Sequence, residues 1–236
     1  MSSITYNGHD FSFCTTCEVV EGPHAVVPTA KEVPGRAGVL LLGGRLAPLV
    51  VRVRLFLDAG SALDAAGLSA LKRQMYAWLY APDGGVLALP GFPSLEWHDA
   101  VVTSVSPWSS ATEDAGYETV FTCFDPVAFG DARSEVGATF EVGGTWPTWP
   151  TFELTASAGS AVQVGCNGEY VRVEGSFIGG EVIVIDCANE VVTIDGVDGR
   201  ADVTMASDFF CLEPGEVVLS FAGCSTHETR YNERWL

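Results

Sequence analysis

The sequence predicts a mainly β protein with a single α-helix, and three observations lead there. Short runs rich in Val, Thr, Phe and Tyr are punctuated throughout by 26 glycines and 12 prolines, the texture of many short strands joined by turns. Leu49, Val51, Val53, Leu55 and Leu57 alternate with Val50, Arg52, Arg54 and Phe56, which is the period of a half-buried strand. One stretch alone, residues 61–80, carries helical spacing. With 236 residues, 47% hydrophobic and 18% charged, the chain has core material for one large or two small domains and too little charge to remain disordered.

The elements follow in chain order. Met1 to Phe13 is polar and aromatic with no basic residue, so it does not read as a secretory signal. The segment before Pro34 has no helix signal and many β-branched residues, and reads as extended. The strand Leu49–Leu57 puts Arg52 and Arg54 on its polar face, where two surface arginines paired with local carboxylates are the plain expectation. The apolar run containing it, Leu46 to Leu57, is too short to cross a membrane and includes both arginines.

From Ser61 to Tyr80 the residues Leu63, Leu68, Leu71, Met75, Trp78 and Leu79 recur at three- and four-residue steps and stripe one helical face as core. Ser61 and Asp64 form a capping pair, and Pro82 with Asp83-Gly84-Gly85 ends the helix. Strand-like runs come next at Val86–Leu89, Trp97–Val105, Tyr117–Phe124 and Phe140–Val142. The run from Gly143 to Pro150 has two glycines and two prolines and marks a linker, 143–150, between a first domain of residues 1–142 and a second of 151–236. Beyond it the strand-like runs are Thr151–Ala158, Ala161–Cys166, Glu169–Glu174, Glu181–Asp186, Val191–Asp195, Asp202–Ala206 and Val217–Phe221. Asn167-Gly168 is a strong hairpin signal, and Cys187 to Glu190 turns a second hairpin. Short strands at this density point to a sandwich or jelly roll.

Charge narrows the function. Twelve basic residues face 30 acidic ones, a formal net of −18, and Lys31 and Lys72 are the only lysines. Residues 1–145 hold 8 basic and 16 acidic side chains and residues 146–236 hold 4 and 14, so acidity belongs to both halves. Such a surface excludes readers of nucleic acid that work through phosphate contacts, and it disfavours anionic membranes. Seven cysteines, odd in number and scattered, fit reduced thiols in a cytosolic assembly environment better than a disulfide scaffold.

No recognised frame for catalysis is present: no Gly-x-Ser-x-Gly elbow, phosphate loop, Gly-x-Gly-x-x-Gly turn or His-Glu-x-x-His. Cys14-Thr15-Thr16-Cys17, with His9 and His24 nearby, has the spacing of half a zinc site but no second pair at finger spacing. Asp195 to Asp202, with Asp208 beyond, offers oxygen ligands but lacks the periodicity of a calcium loop and reads as a solvated acidic loop. No catalytic, cofactor-binding or metal-ligating residues are assigned, and no cofactor is expected.

The order of these pieces resembles the distal tail protein family of long-tailed, non-contractile bacteriophages. The match is carried by Val33-Pro34-Gly35-Arg36-Ala37-Gly38, by the arginine-bearing strand followed by a helix ending in Tyr76-Ala77-Trp78-Leu79, and by Phe121 to Phe129, where Val127 stands in place of an aromatic. It is completed by Gly144 to Pro150 and by Leu212-Glu213-Pro214-Gly215 followed by Tyr231 to Leu236. The resemblance implies an N-terminal β-sandwich with a helix and an extended arm, and a C-terminal galectin-like sandwich.

It also implies a hexameric ring at the distal end of the tail tube. Such a ring meets the tail-tube protein on one side and a tail-tip protein on the other, can carry receptor-binding or baseplate proteins, and lets DNA pass without binding it. The location implied is the virion tail tip, reached by assembly in the host cytoplasm. Residue chemistry agrees: an extended arm suits strand addition to a neighbour, and the Pro34-Gly35-Arg36 turn presents a guanidinium. Pro34, Gly35, Arg36, Arg52 and Arg54 are the expected intersubunit contacts. The alternative expectation is a sugar-binding module in the C-terminal sandwich, with Trp146, Trp149, Tyr170 or Phe177 as platforms.

Overall fold

A computed structural model describes residues 3–57, 65–107 and 116–236, apart from the side chains of Cys17 and Ala65. The chain divides into two compact units, Met1–Phe129 and Gly130–Leu236.

The first unit holds strands β1 (Thr5–Tyr6), β2 (His9–Asp10), β3 (Cys14–Glu21), β4 (Val26–Glu32), β5 (Val39–Leu46) and β6 (Leu49–Leu57), then helix α1 (Ala65–Leu79), then β7 (Gly85–Ala88), β8 (Glu96–Pro107) and β9 (Gly116–Cys123). The main sheet runs β3-β6-β9-β8-β7-β1-β2, while β4 and β5 pair only with each other. Strand β6 carries the predicted alternation: Leu49, Val51, Val53, Leu55 and Leu57 are buried. Residues from both ends of the sheet share one core, where Tyr6 packs edge-on against Phe121 at 5.1 Å and donates its hydroxyl to the Ala100 carbonyl at 2.8 Å.

Helix α1 buries Met75 and Leu79 and packs Leu68 and Trp78 against that core. Trp78 stacks on His9 at 4.7 Å and meets Phe11 and Phe13 edge-on, so the tryptophan of the stripe ties the helix to the N-terminal strands. Its stop is the turn Ala81–Gly84, closed by Gly84 N–H to the Ala81 carbonyl at 3.1 Å. Gly84 has φ of +85°, and a Cβ there would lie 3.1 Å from the Asp99 Cα, so both conformation and space favour glycine. The expected cap pair Ser61 and Asp64, with Leu63, falls outside the described residues.

The second unit contains β11 (Thr139–Val142), β12 (Thr151–Ala156), β13 (Gly159–Cys166), β14 (Glu169–Phe177), β15 (Val182–Asp186), β16 (Val191–Ile194), β17 (Val197–Asp198), β18 (Gly215–Ala222) and β19 (Cys224–Trp235), and takes in β10 (Ala128–Glu135) from Gly130 onward. One layer orders β17-β16-β15-β12-β19-β10 and the other β11-β18-β13-β14. Between them lies a core built on Phe152, Leu154, Val164, Val173, Ile185, Phe210 and Leu219, which makes this unit a sandwich. Asn167-Gly168 turns β13 into β14 with both residues at positive φ, as expected. At the second hairpin, Asp186 Oδ1 accepts from Ala188 N–H and Asn189 N–H at 3.0 and 3.1 Å, holding the Cys187–Glu190 turn.

The first compact unit ends at Phe129 and the second begins at Gly130, and within the second β11 pairs with β18 along its whole length. Two expectations are corrected. Residues 143–150 are tied in rather than free: Thr145 N–H and Trp146 N–H donate to the Arg234 carbonyl, and Thr148 exchanges both backbone bonds with Leu212. The expected strand Asp202–Ala206 is instead the end of a 3-10 turn, Arg200–Asp202. A segment follows it that flanks β14 through Thr204 N–H to the Arg172 carbonyl, and Ser207 Oγ accepts from Arg172 N–H. A side chain takes the place of a ladder acceptor there, so no regular strand forms. Strand β19 carried no sequence signal because its outward face is charged, yet it lies centrally beside β12.

Candidate assembly interface

The residues singled out before Pro34 form one strand of a hairpin. β4 and β5 pair antiparallel from Val26↔Leu46 to Glu32↔Val39, and residues 33–38 are its tip. Arg36 N–H donates to the Val33 carbonyl at 3.2 Å across Pro34-Gly35, with Gly35 at φ +80°. Proline presets the first central position of this turn, and only glycine adopts the second without strain.

The hairpin is exposed on both faces. Every residue of β4 is exposed. Val26 is 64% and Val27 41% accessible, and these two, adjacent in a regularly paired stretch of β4, point to opposite faces; Leu41 and Leu42, beside the bulge of β5, are exposed as well. A lone two-stranded ribbon is marginal in water and needs a further layer to bury its apolar side chains. Apolar exposure on both sides of such a ribbon makes it a candidate interaction surface.

Charge singles out the same element. Between Val26 and Leu46 the basic residues are Lys31, Arg36 and Arg45, against Glu32 as the one acid, in a chain whose net charge is −18. Among the described residues no ion pair reaches any of the three cations. In the second unit Arg133 pairs with Glu233 at 2.8 Å, Arg172 with Glu174 at 3.3 Å, Arg200 with Asp198 at 2.6 Å and Arg230 with Glu153 at 3.1 Å.

The structure separates the two arginines of β6. Arg54 stands directly opposite Glu18 on β3 and Glu118 on β9; it bonds both, the latter at 3.0 Å, and the hydrogen bond it donates to Glu118 raises its pKa. Arg52, on the same face, stands opposite Val20 and Val120 and has no carboxylate partner among the described residues. Arg54 thus serves the sheet's own surface, and Arg36 and Arg52 join Lys31 and Arg45 as cations open to a partner. Lys31 lies in the segment before Pro34 that reads as extended, and Arg45 lies beyond the turn, where no motif marks it. The run Val39–Leu42 before Gly43-Gly44, mirrored across Pro34-Gly35, is the signal that could have shown a second strand.

The other sequence candidates are placed as follows. Cys14 is buried, its thiol pushed up to about 12 by burial, His9 stacks on Trp78, and His24 lies 3.4 Å from Glu21. Asp195 Oδ1 accepts from Val182 N–H at 2.9 Å. Asp198 accepts from Arg200, whose hydrogen bonds hold its carboxyl down to about 2.

Residues 143–235 match the family model of the siphovirus-type tail component, C-terminal domain. The whole chain superposes on the crystal structure of the SPP1 Dit (gp 19.1) protein, a paradigm of the hub adsorption apparatus in phages infecting Gram-positive bacteria. That match has a TM-score of 0.84 and 14% identity, covering 99% of both chains. A chain of the phage P2 baseplate, in its activated conformation with calcium, matches with a TM-score of 0.51 and 8% identity over 94% of this chain and 91% of that one. The strontium form of that baseplate gives the same values. No curated protein matches the sequence.

Proposed function

We propose that this chain, whose residues 143–235 match the model of the siphovirus-type tail component C-terminal domain, is a distal-tail-type structural protein of a bacteriophage tail and the hub at the distal end of the tail tube. Six copies close into a ring around a channel, and the β4–β5 hairpin of each copy lies on its neighbour. The observation that carries this reading is the hairpin itself, apolar on both faces and basic on an acidic chain. The partner it fits best is a second copy, which supplies carboxylates in excess and apolar cover at once. The ring meets tail-tube protein on one side and tail-tip or baseplate proteins on the other, with assembly in the host cytoplasm.

A ring of six would carry about −108 formal charges. An acidic lumen suits a channel through which DNA slides without sticking, and it makes salt a promoter of ring closure through screening.

Light scattering and negative-stain imaging of the purified chain test the reading. A six-fold ring is expected. The triple variant Lys31→Glu, Arg36→Glu, Arg45→Glu should reduce the mass to that of a monomer while leaving the far-ultraviolet circular dichroism unchanged. A wild-type chain that stays monomeric at high concentration and physiological salt overturns the hub reading; a triple variant that still forms the ring overturns the role of the hairpin.

A further inference from the structure

The outer face of the layer β11-β18-β13-β14 contains a depression of about 360 Å³, lined in part by Gln163, Gly165, Asn167, Tyr170 and Ser220, within the size range of small-ligand sites. We propose that this depression binds a neutral sugar ring of a glycan.

Its shape follows from strand register. Gly165 on β13 lies between Tyr170 on β14 and Ser220 on β18. Val162, Val164 and Cys166 alternate into the core, so position 165 faces outward. Any side chain there would fill the site: a Cβ on Gly165 would sit 3.1 Å from Ser220 Oγ and 3.2 Å from Tyr170 Cβ. Glycine therefore leaves a floor one residue wide with an aromatic wall on one side and a hydroxyl on the other. The C–H face of a pyranose packs on an aromatic ring, while its hydroxyls need donors and acceptors around the edge.

The rim supplies them. Gln163 and Asn167 hold side-chain amides that make no hydrogen bond among the described residues, and each amide both donates and accepts. Ser220 Oγ donates to the Gly165 carbonyl at 3.2 Å and keeps its lone pairs for an incoming hydroxyl. Asn167 is fixed by the turn at φ +51°, so its amide is displayed from a rigid hairpin rather than a loop. Charge sets the class of sugar: Glu169 lines the same depression, while the nearby Arg172 is paired with Glu174 at 3.3 Å. An anionic sugar would meet an unneutralised carboxylate, and a neutral one would not. Phe177, an expected platform, is only 7% accessible and belongs to the core; Trp146 and Trp149 are exposed but do not line this depression.

Saturation-transfer NMR on the full chain tests the proposal, with the methyl glycosides of glucose, galactose and N-acetylglucosamine as neutral probes and galacturonate as the anionic one. At least one neutral glycoside should show transfer concentrated on its ring C–H protons, with none for galacturonate. Tyr170→Phe should keep the signal, and Tyr170→Ala should weaken binding roughly tenfold or more. Gln163→Trp, which fills the depression from its outward face without entering the core, should abolish it, so the test stands even where Tyr170→Ala disturbs folding. No transfer to any of the three neutral glycosides, or a signal unchanged in Gln163→Trp, overturns the proposal. Ring mass is unaffected by these variants, which keeps this outcome separate from that of the hub reading.

Discussion

Arg52 and Arg54 are two residues apart on one face of β6, and what separates them is which residues stand across the strand. Glu18 and Glu118 flank Arg54, and valines flank Arg52. Cross-strand neighbours set the worth of a charged side chain in a sheet. Arg54→Ala should therefore lower the melting temperature, because it leaves two carboxylates facing each other, without changing the assembled mass. Arg52→Ala should leave the melting temperature unchanged and weaken assembly. Thermal melts and light scattering on the two variants read both.

Titration is equally local. Hydrogen bonds from Arg200 hold Asp198 down to about 2, and those from Arg230 and Ser134 do the same for Glu228. A depressed carboxyl favours the folded state fully above its unfolded pKa, near 4, and that contribution fades as pH falls toward 2. Arg200→Gln should bring the Asp198 midpoint, followed by carbonyl-carbon NMR, back toward that ordinary value and move acid unfolding to higher pH. Burial pushes the thiols of Cys14, Cys123 and Cys187 up to about 12. Iodoacetamide at about pH 8 should then leave these three unmodified until the chain unfolds, since the thiolate is the reacting form.

Among the elements, those whose patterns are local were legible before the fold was known. Strand β6 lies where its alternation placed it, and the β13–β14 hairpin turns at Asn167-Gly168. Gly168 at φ +94° should not tolerate a branched residue: Gly168→Val should cost about 1–2 kcal/mol in urea unfolding. The stripe of α1 predicted Met75 as core, and it is fully buried. Met75→Ala should destabilise by about 2–5 kcal/mol. The hairpin β4–β5 and the strand β19 were not legible, for opposite reasons. The first exposes apolar residues on both faces, so it shows no alternation; the second is central but carries Glu228, Arg230, Asn232 and Glu233, which disguise it as surface loop.

On the scale of the whole molecule, each unit has its own core, and the second should fold when produced alone. Where it starts is decided by strand pairing. β11 covers the edge of β18, and Phe140 stacks on Tyr231 at 5.8 Å. A fragment of residues 130–236 should unfold cooperatively with dispersed NMR signals. A fragment of 143–236 should bare the β18 edge and aggregate or melt well below it; equal stability of the two fragments would place the boundary at 142/143.

The sequence by itself determined a mainly β chain with one helix, an acidic composition, and a succession of motifs resembling the distal tail proteins. The first two rest on composition and on periods of two and 3.6 residues and the third on the motifs themselves, all of which neighbours along the chain suffice to define. Tertiary structure alone decided which arginine is spoken for, where the second unit begins, and that Gly165 floors a depression between Tyr170 and Ser220. Each depends on which residue stands across from which strand. Strand partners are set by burying one face of each sheet against a core assembled from distant segments, and no local pattern encodes that pairing.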